Sequence, residues 1–368
     1  MSQLQIDFRI PSNLTEEQFK ALGLVVTGVD PDLKAFQQRE FTIGFEREVR
    51  SNWVLSARFT RKNVAHAPED HAILGLNQSE NYPVGNPGEG LDLKLDQQNG
   101  TAKSARPQRL YRALEIVLNK RLSNHFYFNA NYTLGYLYGN YSGLASSDEN
   151  GRTSPGVDRF FDYPINGFTA TGEPDNGYLA TDRRHVFKSY GGYEFTRWKS
   201  RAHTDEFSYF YTAMQGTPQT TFITVVATSI PLIKRGDMGR TPAFTQTDLA
   251  WTHNYRFGTD GRFRLSFDFN VLNVFNQNTV TSFVTTRYRT TNTIGAKDID
   301  PAYNAATQTL IPILNRILLG QIGTQLNQLE NGGLPSLTGR PNPHRADYGL
   351  PSGYQGARNV RFGIRFNF

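Results

Sequence analysis

The chain has 368 residues, 38% of them hydrophobic and 13% aromatic, with no cysteine and a formal net charge of +6. The length admits two or three ordinary domains, while the missing cysteines exclude disulfides, thiol catalysis and thiolate metal sites. The small, dispersed charge offers no basic patch for nucleic acid, and no run nears the roughly 20 apolar residues of a spanning helix.

The N-terminal stretch MSQLQIDFRIPSNLTEEQF has no basic segment followed by an apolar one, so it does not read as a secretory signal. Beyond it a period of two recurs along the chain, and each such run predicts a strand with one apolar and one polar face. Phe41, Ile43 and Phe45 alternate with Thr42, Gly44 and Glu46; past Arg50-Ser51-Asn52, Trp53, Leu55, Ala57 and Phe59 alternate with Val54, Ser56, Arg58 and Thr60. These two runs predict strands at about 36–49 and 52–63. Strands follow at about 109–120, carrying Leu114, Ile116 and Leu118, and at about 125–137, where Phe126, Phe128, Ala130, Tyr132, Leu134 and Tyr136 oppose Tyr127, Asn129, Asn131, Thr133 and Gly135. Two weaker runs lie at about 185–196 and 206–215. Stronger ones at about 244–257 and 261–273 carry Leu249, Trp251, His253, Tyr255 and Phe257, then Phe263, Leu265, Phe267, Phe269 and Val271. The chain closes at 358–368 with Val360, Phe362, Ile364, Phe366 and Phe368 on one side and Asn359, Arg361, Gly363, Arg365 and Asn367 on the other.

The connections alternate too. Turns of a few residues near 50–52, 121–124 and 258–260, and a slightly longer one near 196–206, interleave with long polar segments at about 64–108, 138–184, 215–244 and 275–357. In an up-and-down antiparallel sheet this puts every short turn at one end and every long loop at the other. Outer-membrane barrels have short periplasmic turns and long extracellular loops, and compact domains rarely carry such loops. The predicted strands also match the roughly 9 to 11 residues a tilted strand needs to cross the hydrocarbon layer. A soluble β-sandwich is the alternative, but it leaves the terminal Phe side chains uncovered. The predicted fold is therefore all-β, an antiparallel up-and-down transmembrane β-barrel segment of nine or ten strands, incomplete as a barrel, with long extracellular loops and one loop helix. Lipid then covers the apolar faces. Trp53, Phe126 and Tyr255 near the turn end and Tyr136 near the loop end are the candidate interface aromatics. Asp248, Arg256, Arg264, Asp268, Arg361 and Arg365 are the candidate lumen-facing charges, placed to form cross-strand pairs on one wall.

Within the last long segment Leu310, Ile313, Leu314, Ile317, Leu318 and Gln321 recur at intervals of three and four. The spacing predicts an amphipathic helix within about 303–330, started or kinked by Pro312 and packed on the loops or dipping into the barrel mouth. Glu69, Asp70, Glu80, Glu89, Asp92 and Asp96 follow no known Ca²⁺-loop spacing and read as a solvated surface. The glycines of GNPGEG at 85–90 read as loop flexibility with no helix after them. No H-E-x-x-H, G-x-S-x-G or phosphate-loop pattern occurs, so no catalytic, cofactor or metal residue is assigned and the chain does not read as an enzyme.

Several stretches resemble TonB-dependent receptors of the Gram-negative outer membrane. FTQTDLAWTHNYRF and RLSFDFNVLNVFNQ resemble that family's late strands, with Asn270, Asn273, Phe275 and Asn276 in the fNvfN ending, and DRRHVFKSYGGYEF resembles a mid-barrel strand entered through Asp182, Arg184 and His185. VDPDLKAFQQREFTIGFEREV is similar to a stretch of the Oar-like receptors with a carboxypeptidase-regulatory-like N-terminal domain, and the terminal Val360, Phe362, Ile364, Phe366 and Phe368 resemble the signal recognised by the barrel-assembly machinery. The resemblance implies uptake of an extracellular ligand across the outer membrane, energised by TonB through a plug. Plug, TonB box and signal peptide are not seen here, and nine strands fall well short of the 22 of such transporters. The chain is therefore expected to be the C-terminal part of a receptor barrel, with outer-membrane lipid, the assembly machinery, TonB and an unidentified ligand as partners. A passive pore or a structural or adhesive barrel is the alternative.

Overall fold

The computed structural model describes residues 28–142, 161–196, 202–226, 228–289, 294–337 and 344–368. Nine long strands carry the architecture: β1 (Gln37–Arg50), β2 (Trp53–His66), β3 (Arg109–Ser123), β4 (Phe126–Gly139), β5 (His185–Thr196), β6 (His203–Met214), β7 (Phe244–Phe257), β8 (Phe263–Leu272) and β9 (Asn359–Asn367). They form one antiparallel sheet in chain order, with the short strand Gly177–Tyr178 added beside β4. No barrel closure joins β9 to β1.

The register keeps the two faces separate across the sheet. Phe41 stands opposite Arg61, Ile43 opposite Phe59, Leu55 opposite Leu118, Leu114 opposite Leu134, Trp251 opposite Phe269 and Phe269 opposite Phe362. One residue over, Thr42 meets Thr60, Arg58 meets Glu115 and Thr252 meets Asp268. A slip of one residue would invert every strand. Local turn chemistry helps to fix the register. The β1–β2 turn ends on Asn52 at φ 67°, and the β3–β4 turn places both Asn124 and His125 at positive φ, the backbone that two-residue hairpin turns require.

Among the described residues nothing covers the apolar face. Phe362 is 80% exposed and Phe368, one residue past β9, is 88% exposed. The molecule's main apolar core lies elsewhere, among the long connections at the other end of the strands. Tyr163, Ile165, Ile223, Ile230, Ile294, Ile299, Ile313, Leu314, Ile317 and Leu318 bury their side chains together there, joined by Ala72 and Leu74. All four long segments contribute, so they form a cap with its own core.

Two expectations fail inside this cap. The single helix over 303–330 is two short ones, Ile311–Leu318 and Gly323–Glu330, separated where Gly320 adopts φ 69°. The break is a local glycine cap, in which the Gly320 N–H donates to the Ile317 carbonyl and the Gln321 N–H to the Arg316 carbonyl, and a Cβ at Gly320 would also lie 2.6 Å from the Thr171 carbonyl oxygen. Pro312 sits in the first turn, where its missing N–H costs nothing. The glycines at 85–90 do lead into a helix, Gly90–Asn99, which closes on Gly100 in the left-handed conformation.

Candidate functional site

Where the polar face meets the cap, the wall opens into a recess of about 420 Å³ lined by Lys62, Arg109, Tyr111, Thr133, Asp182 and Arg183 among others. Strand alternation puts Lys62, Tyr111 and Thr133 on this side, while Asp182 and Arg183 come from the chain entering β5. Lys62 pairs with Glu40 across the β1–β2 ladder at 3.1 Å. Arg109 donates to the Ser142 and Tyr141 carbonyls, and Arg183 donates to the Gln215 carbonyl at 2.7 Å. Burial, then the neighbouring Arg240, pulls the Arg183 guanidinium below its usual range. Three cationic groups thus border one hollow.

Asp182 supplies no negative charge to this hollow. It is 1% exposed, accepts the Leu137 N–H at 2.5 Å and forms an ion pair with Arg240. Arg240 also donates to the Asp182 and Gly216 carbonyls at 3.0 Å. Asp182 therefore ties β4, the entry to β5 and the segment after β6 into one unit. His185, singled out with it in the sequence, bonds the Tyr132 hydroxyl at 2.8 Å on the apolar face, and Arg184 donates to the Tyr178 hydroxyl at 2.8 Å. The Asp-x-Arg-His step is a strand-entry device.

The acidic residues of 64–108 are not a solvated surface, because the cap folds over them. Asp92 and Asp96, one turn apart on the helix Gly90–Asn99, enclose His71, and all three are under 5% exposed. Burial works against charge on His71, yet the hydrogen bond it donates to Asp92 and the fields of Asp92 and Asp96 raise its pKa above the ordinary imidazole value. Burial pushes Asp96 up as well. Glu89 pairs with Lys34 at 2.8 Å, and Glu80 accepts from the Tyr82 and Tyr163 hydroxyls. Across the cap, Tyr288 and Arg287 both donate to Glu330; burial opposes them, but the two donors win and hold its carboxyl below the usual range.

The register puts the six candidate lumen charges on the polar face, but only one ion pair forms among them, Arg365 with Asp268 at 3.2 Å. Arg256 stands directly opposite Arg264, and Asp248 instead accepts the Asn273 N–H at 2.7 Å. That bond and the Asn273 side chain, which donates to the Gln277 and Gly356 carbonyls, shape the fNvfN turn, where Asn273 and Asn276 both take positive φ. The four candidate interface aromatics fall at the two ends of the apolar face. Trp53 packs edge-on to Phe126 at 6.4 Å, Tyr255 stacks on His203 at 4.6 Å, and Tyr136 meets Tyr178 edge-on at 6.3 Å. Val360, Phe362, Ile364 and Phe366 occupy the apolar face of β9. Sequence reasoning missed Arg240, His71 and the cationic side chains beneath the cap, because their partners lie far along the chain. Asp182 and Arg240 are 58 positions apart.

A family model described as an outer membrane beta barrel domain matches residues 2–233. The chain is 30% identical over 348 residues to the TonB-dependent transporter Oar of Myxococcus xanthus, a match that covers 93% of this chain and 29% of that protein. It thus spans under a third of the relative's length. Among solved structures it is similar to the ferric-catecholate import receptor Fiu of E. coli in a closed form, at 14% identity and a TM-score of 0.33, covering 68% of this chain and 25% of that one.

Proposed function

This chain belongs to the outer membrane β-barrel family of the Gram-negative outer membrane, and from that premise we propose that it is the C-terminal barrel part of a TonB-dependent transport receptor. In this reading the apolar face of the sheet meets acyl chains, the polar face lines the lumen, and the cap is the extracellular surface that first meets a ligand. The observation that carries the reading is the similarity to a TonB-dependent transporter along 93% of the chain. The hollow under the cap supports it, since cationic Lys62, Arg109 and Arg183 beside Tyr111 suit a solute with anionic or hydroxyl groups. Arg240 keeps Asp182 from opposing such a ligand.

In the same reading the terminal Phe side chains act as the barrel-assembly signal, and the six polar-face charges of β7 to β9 face a plug. Uptake of labelled ferric chelates, oligosaccharides and peptides by cells carrying the full-length gene, with and without TonB, tests the proposal. Energised transport predicts accumulation of one class that vanishes without TonB; accumulation that persists unchanged identifies a passive pore.

A further inference from the structure

The apolar face carries a second, oppositely composed feature at its loop end. Register places Arg61 of β2 opposite both Phe41 of β1 and Arg112 of β3, and Arg112 opposite Tyr136 of β4, so these cations lie on the mainly apolar face, which also carries Arg39 and Arg47 of β1 and Lys120 of β3. Arg184, at the entry to β5, joins them. The Arg112 and Arg184 guanidiniums approach the Tyr136 ring at 5.8 and 5.3 Å, and Arg184 also approaches the Tyr178 ring at 5.2 Å.

Among the described residues no carboxylate answers them. Every acidic residue of β1 to β4, namely Glu40, Glu46, Glu48 and Glu115, falls on the polar face by register, and Arg58 and Lys62 of β2 take two of these as partners there. The Nε atoms of Arg112 and Arg184 are buried without a hydrogen-bond partner. Beneath the three guanidiniums the groove continues onto Phe41, Phe59, Leu114 and Leu134, enclosing about 700 Å³.

Height along the strand decides what such a groove can hold. Arg61 lies eight residues beyond Trp53, about 26 Å along the strand at ~3.3 Å per residue and so about 20 Å along the membrane normal at a strand tilt of roughly 40°, which sets it within about 5 Å of the far edge of the roughly 25 Å apolar band of outer-membrane barrels. An arginine is costly at mid-bilayer but nearly free of penalty near an interface, so this level tolerates the charge. It is also where lipid phosphates lie. A planar guanidinium binds phosphate through two parallel N–H donors, and the apolar floor runs from there toward the membrane interior.

We infer that Arg61, Arg112 and Arg184, with Tyr136 between the last two, bind the phosphate of an outer-leaflet phospho-lipid whose acyl chain lies over Phe41, Phe59, Leu114 and Leu134. The inference rests on the membrane placement of the apolar face and deepens it, independently of TonB or of the transported ligand.

The test uses the full-length protein extracted from outer membranes into detergent. Native mass spectrometry follows adducts with dioleoyl phosphatidic acid, dioleoyl phosphatidylcholine and inorganic phosphate. The wild type should retain phosphatidic acid at least tenfold more than phosphatidylcholine and should not retain inorganic phosphate. Arg61→Gln/Arg112→Gln should lose that preference, while Arg58→Gln, on the other face of β2, should keep it. The idea fails if the double variant retains phosphatidic acid as the wild type does, or if phosphatidylcholine binds equally. Displacement by inorganic phosphate at the lipid's own concentration would show a plain anion site instead. Heat-modifiable gel mobility confirms that each variant is folded, and recovery in the outer-membrane fraction checks the placement itself, so failure of either is read apart from loss of lipid.

Discussion

His71 is held between Asp92 and Asp96 in a part of the cap closed to water, and that arrangement fixes how the cap responds to pH. Its folded pKa is raised, so its contribution is complete below the unfolded imidazole value of about 6.5 and is lost as pH rises through the higher folded value. Asp96 has a raised pKa too, which also favours the protonated, lower-pH form. The two shifts share a sign. Protease cleavage within 64–108 should therefore accelerate from pH 6 to pH 9, and His71→Gln should be cleaved faster throughout with a flatter profile. Removing the cation leaves two buried carboxylates face to face, and breaking a buried pair in this way costs about 3–5 kcal/mol. A variant as resistant as the wild type at both pH values would show that the three residues do not act as one unit. Asp182 makes a parallel case: Asp182→Ala strips Arg240 and the Leu137 N–H of their partner, with a comparable expected loss in thermal unfolding of the cap.

Elements differ in how far their own sequence reveals them. A strand with one face in lipid and one in water writes that contrast into every second residue, which is why β1 to β9 are legible from alternation and the turns from Asn52 and Asn124. Helical spacing likewise picks out Leu310, Ile313, Leu314, Ile317 and Leu318, all of them buried, whereas Gln321 at the end of the same pattern is exposed. The break after Leu318 is written locally in Gly320, a left-handed glycine that caps the helix, and the amphipathic spacing that runs on to Gln321 masks it. The burial of Asp92 and Asp96 is hidden because their partner His71 lies outside the helix that carries them. The hollow beneath the cap needs side chains from five segments, β1 to β4 and the entry to β5, and no local pattern announces it. Ile317 sits in the centre of the cap core at 0% exposure. Ile317→Ala should destabilise the cap by about 2–5 kcal/mol through the cavity it leaves, while Gln321→Ala should fall within about 0.5 kcal/mol of wild type. Thermal scans monitored by cleavage in 275–357 measure both; equal effects would mean that the helix does not pack by this stripe.

At the scale of the molecule, the sheet and the cap solve opposite problems. The cap buries its own apolar residues, while the sheet leaves Ile43, Phe267, Phe362 and Ile364 uncovered on one face. Along β1 every residue is exposed, because among the described residues nothing pairs with its outer edge. A bilayer does not accept a row of unsatisfied backbone groups, so in the membrane that edge is paired, and amide exchange in β1 of the full-length protein should be as slow as in β2. The apolar face gives the sharper measurement. If acyl chains cover it, the cost of a charge depends on depth, about 2–4 kcal/mol near the midplane and about 0–1 near an interface. A protein cover imposes no such gradient. Phe267 lies midway along β8 with its side chain on the apolar face, and Val271 lies on the same face at the loop end. Phe267→Arg should therefore lower the unfolding free energy in lipid vesicles by several times as much as Val271→Arg, and Ser266→Arg should fall outside this gradient because its side chain points to the polar face. Equal costs at Phe267 and Val271 would mean that depth in a bilayer does not govern this face, and that its aromatic rows are covered by protein.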